Sequence, residues 1–196
     1  MYDFIDKIIY INLDSRTDRR KQIEEELNVF PKEKVERFAA IYDSFGAIGC
    51  SKSHITVLEY VKTNKWKNVL IIEDDMIWKN FSDGIKQLEN LVNEPYDVIL
   101  LGSTYATYNQ NRVISAQTTT AYLVNNHYYD KLLENFKEGH NLLKETWNLP
   151  EFSLDQYWKK LQATDTWYLI KPSMSIQSPS YSDIEKKNVD YSSHFT

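Results

Sequence analysis

Three consecutive carboxylates, Glu73, Asp74 and Asp75, follow directly on Val69-Leu70-Ile71-Ile72, four apolar residues that favour a strand. A buried strand ending in such a cluster brings dense negative charge to the edge of the core. Acids this close repel until a proton, a Lys or Arg partner, or a hard divalent cation with oxygen ligands relieves them. Residues 69–78 contain no basic side chain, which favours the cation. The end of a strand in an open α/β sheet is also where ligands bind. The plainer alternative is a solvated turn or a helix cap.

Other residues with chemical capacity are spread along the chain. Asn12, Leu13 and Asp14 close an apolar run that starts at Lys7, and Arg16, Arg19 and Arg20 fall in the first turn of the helix predicted next. Cations there oppose the helix dipole, so they call for an anion, either a ligand or nearby acids such as Asp18 and Glu24. Gly46 to His54 combines small residues, hydroxyls, Lys52 and a histidine just before a helical run, where backbone amides suit an anion. His54 could equally be a core histidine with satisfied hydrogen bonds. Asp155 is placed in the first turn of a short helix capped by Ser153, where the dipole stabilises an acid and lowers its pKa.

The positioning elements alternate. Strands are predicted at 7–13, 35–41, 69–72, 96–102, 118–124 and 167–170. Helices fall between them, the first with Ser15 and Asp18 as a capping box, others starting at Ser82 and stopping at Gly139. Residues 103–112 read as a polar loop rich in Tyr and Asn, suited to an acceptor, and 175–184 as a polar closing segment. This order implies one α/β domain over 1–196, with a mostly parallel central sheet flanked by helices.

Composition narrows the function. With 196 residues, 42% hydrophobic and 26% charged, the chain is long enough for one well-buried domain. The net charge of −5 argues against nucleic acid as a partner. Cys50 is the single cysteine, so an intramolecular disulfide or a multi-cysteine metal site is excluded. The first residues carry acids where a secretory signal needs basic flanks, and no apolar run approaches the ~20 residues of a transmembrane segment. A cytoplasmic protein is the expectation.

Taken in order, Ile9-Tyr10-Ile11-Asn12-Leu13-Asp14 with Arg16 and Asp18-Arg19-Arg20, then Gly49-Cys50 with Ser53-His54, then Leu70-Ile71-Ile72-Glu73-Asp74-Asp75 resemble glycosyltransferase family 25. The resemblance continues through Ala121-Tyr122-Leu123-Val124 to Asp155. That family includes bacterial lipooligosaccharide galactosyltransferases, collagen-modifying hydroxylysine sugar transferases and proteins of giant viruses. The resemblance implies a GT-A-type nucleotide-sugar transferase fold. It also implies transfer of a hexose, galactose or glucose, from a UDP-sugar to a glycan or protein hydroxyl, with inversion and with Mn2+ or Mg2+. By the same resemblance Asp75 is the leading metal ligand, with Gln177 or His194 as a further one. Glu73 and Asp74 would position ribose, metal-bound water or sugar. Residues 12–16 would hold the uridine diphosphate, and Ser53 and His54 would line the donor site. Arg19 and Arg20 would bind the donor or anchor their helix by ion pairs. Asp155 is the expected general base, set against a helix-capping role. Two other classes compete: a metal-dependent nuclease or phosphatase on the acidic cluster, and a non-catalytic sugar-binding or assembly module on the same fold.

Overall fold

The computed structural model describes residues 2–196. The chain opens with β1 (Lys7–Asn12), α1 (Thr17–Glu26), β2 (Val35–Ala39), α2 (Gly46–Thr63), β3 (Asn68–Glu73), β4 (Met76–Trp78) and α3 (Phe81–Leu91). It continues through β5 (Val98–Leu100), β6 (Thr104–Asn109), β7 (Arg112–Gln117), β8 (Ala121–Asn125) and α4 (Tyr129–Thr146). Three one-turn helices follow, α5 (Leu149–Phe152), α6 (Leu154–Tyr157) and α7 (Lys159–Gln162). The last strands are β9 (Trp167–Leu169), β10 (Ser175–Gln177), β11 (Ser180–Ser182) and β12 (Lys187–Val189).

Eight strands form one sheet in the order β2-β1-β3-β8-β5-β9-β7-β6. The pairings make β1, β2, β3, β5, β6 and β9 run one way, with only β7 and β8 reversed, so the expected mostly parallel sheet is present. Side chains alternate across β3 as strand geometry requires. Val69 and Ile71 pack with α2 and α4 on one face, whereas Leu70 and Ile72 pack with α1 and α3 on the other. The result is a three-layer α/β/α sandwich whose central strand is fully buried from Val69 to Ile72, just before Glu73.

Several boundaries differ from those the sequence predicts. α1 starts at Thr17 with no side-chain cap, because Asp18 accepts from Arg16 at 3.0 Å instead of completing a capping box with Ser15. Ser82 lies inside α3, which begins after Asn80. Gly46 to His54 is already helical, so these residues form the first two turns of α2. Gly139 does not end α4: a Cβ there would sit 2.8 Å from the Tyr157 ring, so this glycine allows α6 to pack close. The helix runs on to Thr146, where Trp147 takes the left-handed conformation at φ 58°.

Residues 103–112 are mostly the β6 strand and the turn of a β6–β7 hairpin, not a loop. The closing segment is structural as well. β10 pairs with β4 and passes so close to Gly102 that a Cβ there would lie 2.1 Å from the Ser175 carbonyl oxygen. β11 and β12 form a separate hairpin.

Candidate active site

The carboxylate cluster sits where β3 ends and the chain turns into β4. Each acid meets a different environment. Glu73 Oε1 accepts from Thr119 Oγ1 at 2.7 Å, lies 3.2 Å from His54 Nε2, and is 3.8 Å from Cys50 Sγ. Burial pushes its pKa up, but the His54 and Thr119 contacts and the charge of Arg19 outweigh burial and hold it below the usual range. Asp74 is buried and accepts from Asn12 Nδ2 at 2.7 Å and from Arg19 at 3.1 Å. Its pKa is raised, with burial outweighing those partners.

Asp75 is the least compensated acid. One oxygen is 3.2 Å from the Arg19 guanidinium, while the other, Oδ1, is buried with no protein partner. Burial and the neighbouring charges of Glu73 and Asp74 push its pKa up to about 7, against the pull of Arg19. An orphaned carboxylate oxygen in a field of like charge suits a hard cation, and the buried Oγ of Ser178 also lacks a protein partner. β10 brings Gln177 to the same place: it is in register with Met76, and Ser178 N donates to the Asp75 carbonyl at 2.7 Å.

The sequence favoured a metal over a basic partner because no basic residue lies nearby in the chain. The fold supplies one from α1. Arg19 pairs with Asp74 and Asp75, and its other nitrogen donates to Ser180 Oγ at 2.7 Å and to the Tyr181 carbonyl at 2.9 Å. It therefore joins the acidic cluster to the β11–β12 hairpin. Its partners are mostly buried, so losing this pairing would leave costly charge in the core. Arg16 grips the same hairpin through Asp183 at 2.6 Å.

Two connected chambers meet at the cluster. The first, about 170 Å3, is lined by Leu13, Ile41 to Asp43, Gly46, Ser53, His54 and the three acids. The second, about 350 Å3, is lined by Thr118, Thr119, Asp155, Tyr105 and Tyr191. Arg19, Cys50, Glu73, Asp75 and Gln177 border both, and Ser182 and Ile184 of the hairpin region cover both.

Asp155 lies in the second chamber, where the Thr118 amide donates to its Oδ2 at 3.0 Å. Contrary to the dipole argument, its pKa is raised: burial dominates, and the Glu73 charge adds to it against the Thr118 hydrogen bond. A four-residue helix has little dipole to set against burial. Thr118 itself has φ 84°, a strained conformation for a β-branched residue, and it aims its amide at this carboxylate.

The remaining sequence candidates divide. Leu13, Ser53 and His54 border the first chamber. Ser53 is also structural, donating to the Gly49 carbonyl and accepting from the Ile41 amide at 2.8 Å. Asn12 does not reach the cavities; it is buried behind Asp74, which it orients. Asp14 points outward and pairs with Arg37 at 2.6 Å, and Arg16 is taken up by Asp18 and Asp183. His194 lies outside both chambers against the Tyr105 ring, at 4.9 Å between centroids, so of the two further ligand candidates only Gln177 is beside Asp75. Thr118, Thr119 and Tyr191 carry no local sequence signal; they are site residues because β8 and the closing hairpin fold back on β3.

Among the described residues, no helix is long and apolar enough to cross a membrane. No curated protein sequence matches the chain. Two of the solved structures that share its fold cover most of the chain. One is a glycosyltransferase involved in glycosylation of the major capsid of PBCV-1, with TM-score 0.52, 12% identity, and coverage of 85% of this chain and 81% of that one. The other is A197 from STIV, with TM-score 0.52, 12% identity, and coverage of 94% and 93%. The family model described as glycosyltransferase family 25 (LPS biosynthesis protein) matches residues 43–149, from the loop before α2 into the start of α5. With the acidic cluster inside that match and the fold of a sugar transferase around it, the chain belongs to glycosyltransferase family 25.

Proposed function

We propose that this chain transfers a hexose, galactose or glucose, from a UDP-sugar to a hydroxyl of a glycan or protein acceptor, with inversion and with a divalent cation, Mn2+ or Mg2+. The observation that carries the reading is the junction of two chambers at the end of β3, with an unpartnered Asp75 oxygen at the junction and a buried Asp155 in one chamber. The smaller chamber, walled by Ile11, Leu13 and Ala40 and bordered by the exposed Tyr42, suits the nucleotide. The larger one suits the acceptor, because Tyr105 and Tyr191 offer aromatic faces to a sugar.

In this reading the acceptor oxygen attacks the anomeric carbon as the bond from that carbon to the UDP phosphate breaks. The acceptor proton passes to Asp155, whose raised pKa brings it closer to the operating pH than an ordinary carboxylate. Asp155 must first be ionised, so activity falls as pH drops through a limb above the usual carboxylate range. Thr118 fixes the carboxylate by donating its amide to Oδ2 at 3.0 Å, while Oδ1 has only a long contact, 3.5 Å, from Gln156 Nε2. Asp75 and Gln177 would hold the cation, which supplies Lewis-acid stabilisation to the departing diphosphate. Asn12 and Arg19 orient and neutralise Asp74 beside it.

A thermal-shift experiment tests this reading without an acceptor. UDP at ~100 times its Kd contributes ~2.7 kcal/mol, which raises the Tm of a chain this size by roughly 5–10 °C. The rise is expected with Mn2+ and not with EDTA. A nuclease or an assembly module would give no UDP-dependent rise in either.

A further inference from the structure

Cys50 and His54 take no step in the proposed transfer. They are four residues apart on α2, so their side chains share one helix face, which packs against the end of β3. There they meet Glu73, with Oε1 3.8 Å from Cys50 Sγ and 3.2 Å from His54 Nε2. The three potential ligand atoms all lie within 4.8 Å of one another. A tetrahedral ion with Zn–S ~2.3 Å and Zn–N and Zn–O ~2.0 Å holds its ligand atoms ~3.3–3.5 Å apart; the two spacings to Glu73 Oε1 are within a few tenths of an ångström of that, and the Cys50–His54 pair, within 4.8 Å, closes onto the ion by side-chain rotation.

The surroundings match a metal site too. His54 Nδ1 is 2.9 Å from the Tyr122 hydroxyl oxygen, which can accept its proton and leave Nε2 with a free lone pair. Thr119 Oγ1 donates to the same Glu73 oxygen at 2.7 Å and fixes its position. One sulfur, one imidazole and one carboxylate form a softer donor set than the oxygens around Asp75, and select a different class of ion.

We propose that Cys50, His54 and Glu73 form a second metal site, for Zn2+ or a similar borderline cation, with its fourth position open to the chambers. On binding, the Cys50 S–H proton leaves to solvent and a thiolate–metal bond forms, with no change of oxidation state. Cys50 and Glu73 border both chambers, so an ion here obstructs the junction and inhibits transfer. The site itself depends on three side chains alone; its inhibitory effect rests on the proposed transfer.

Co2+ is the probe. Because Cys50 is the single cysteine, any thiolate-to-cobalt charge-transfer band belongs to it. The metal-free chain is expected to bind Co2+ at this site with that band and the strong visible absorption of a tetrahedral ion, and Zn2+ should displace it. Cys50→Ser should abolish the band and His54→Ala should weaken Co2+ binding at least ~10-fold. Asp75→Asn should keep the band, which separates this site from the oxygen site. In the native chain, stoichiometric Zn2+ should also protect Cys50 from iodoacetamide where Mg2+ does not, a readout that needs no variant. Absence of a band in excess Co2+, a band that survives Cys50→Ser, or equal alkylation with Zn2+ and Mg2+ would overturn the proposal.

Discussion

Asp155→Asn is expected to lower kcat by roughly 10²–10⁴-fold, the usual range for losing a general base, while leaving metal-dependent UDP binding within about twofold of native. The amide keeps the shape of the carboxylate and an oxygen to accept from Thr118, which in the native chain donates at 3.0 Å. On the proposed role, only the capacity to take the acceptor proton is lost. Steady-state transfer and UDP titration on the same preparation read the two effects separately. A purely structural Asp155 would show the reverse pattern, with reduced Tm and near-native turnover per folded molecule. Burial makes the distinction sharp: a group whose pKa is raised contributes no favourable charge to the fold, so replacing it with a neutral isostere should not destabilise the chain.

Asp75→Asn is expected to remove the divalent dependence of UDP binding and to lower turnover roughly 10²-fold or more, because in the proposed reaction the cation that would stabilise the departing diphosphate would lose its main anionic ligand. The same change should leave the metal-free chain as stable as the native one at pH 8, or more stable. The sign follows from the pKa of about 7: the native carboxylate is ionised at pH 8 beside Glu73 and Asp74, and that cost, absent at low pH, is fully present there. Gain of stability with loss of activity is the signature of a group kept for function. A large fall in Tm for Asp75→Asn would argue instead that Asp75 serves mainly as the structural partner of Arg19.

The strand that carries these acids was legible because its signal is local. An apolar run breaking into three carboxylates reads the same in sequence and in space, and β3 ends at Glu73 as that pattern requires. The cluster's partners were less legible because they are remote. Arg19 sits 55 residues before Asp74, and nothing in its own helix says that it will turn inward to the acids. The dipole argument for Asp155 failed similarly, since a first-turn position is visible in sequence but burial by the surrounding chain is not.

The β6–β7 hairpin escaped because its turn lacks the usual signal. Gln110, not a glycine, takes φ 54°, and exposed Tyr105 and Tyr108 disguise the strand as a loop. Gly139 shows the opposite error. A glycine near a helix end reads as a stop, yet here it is buried mid-helix to admit Tyr157.

In the proposed reaction this member of family 25 uses a UDP-sugar with a divalent cation. Release of UDP from UDP-galactose and UDP-glucose, with Mn2+ and with EDTA, tests it most directly. Metal-dependent release from one of these donors, abolished in Asp75→Asn, is the predicted result. Failure of the folded chain to bind UDP or release it from either donor, with Mn2+ present, would contradict the account.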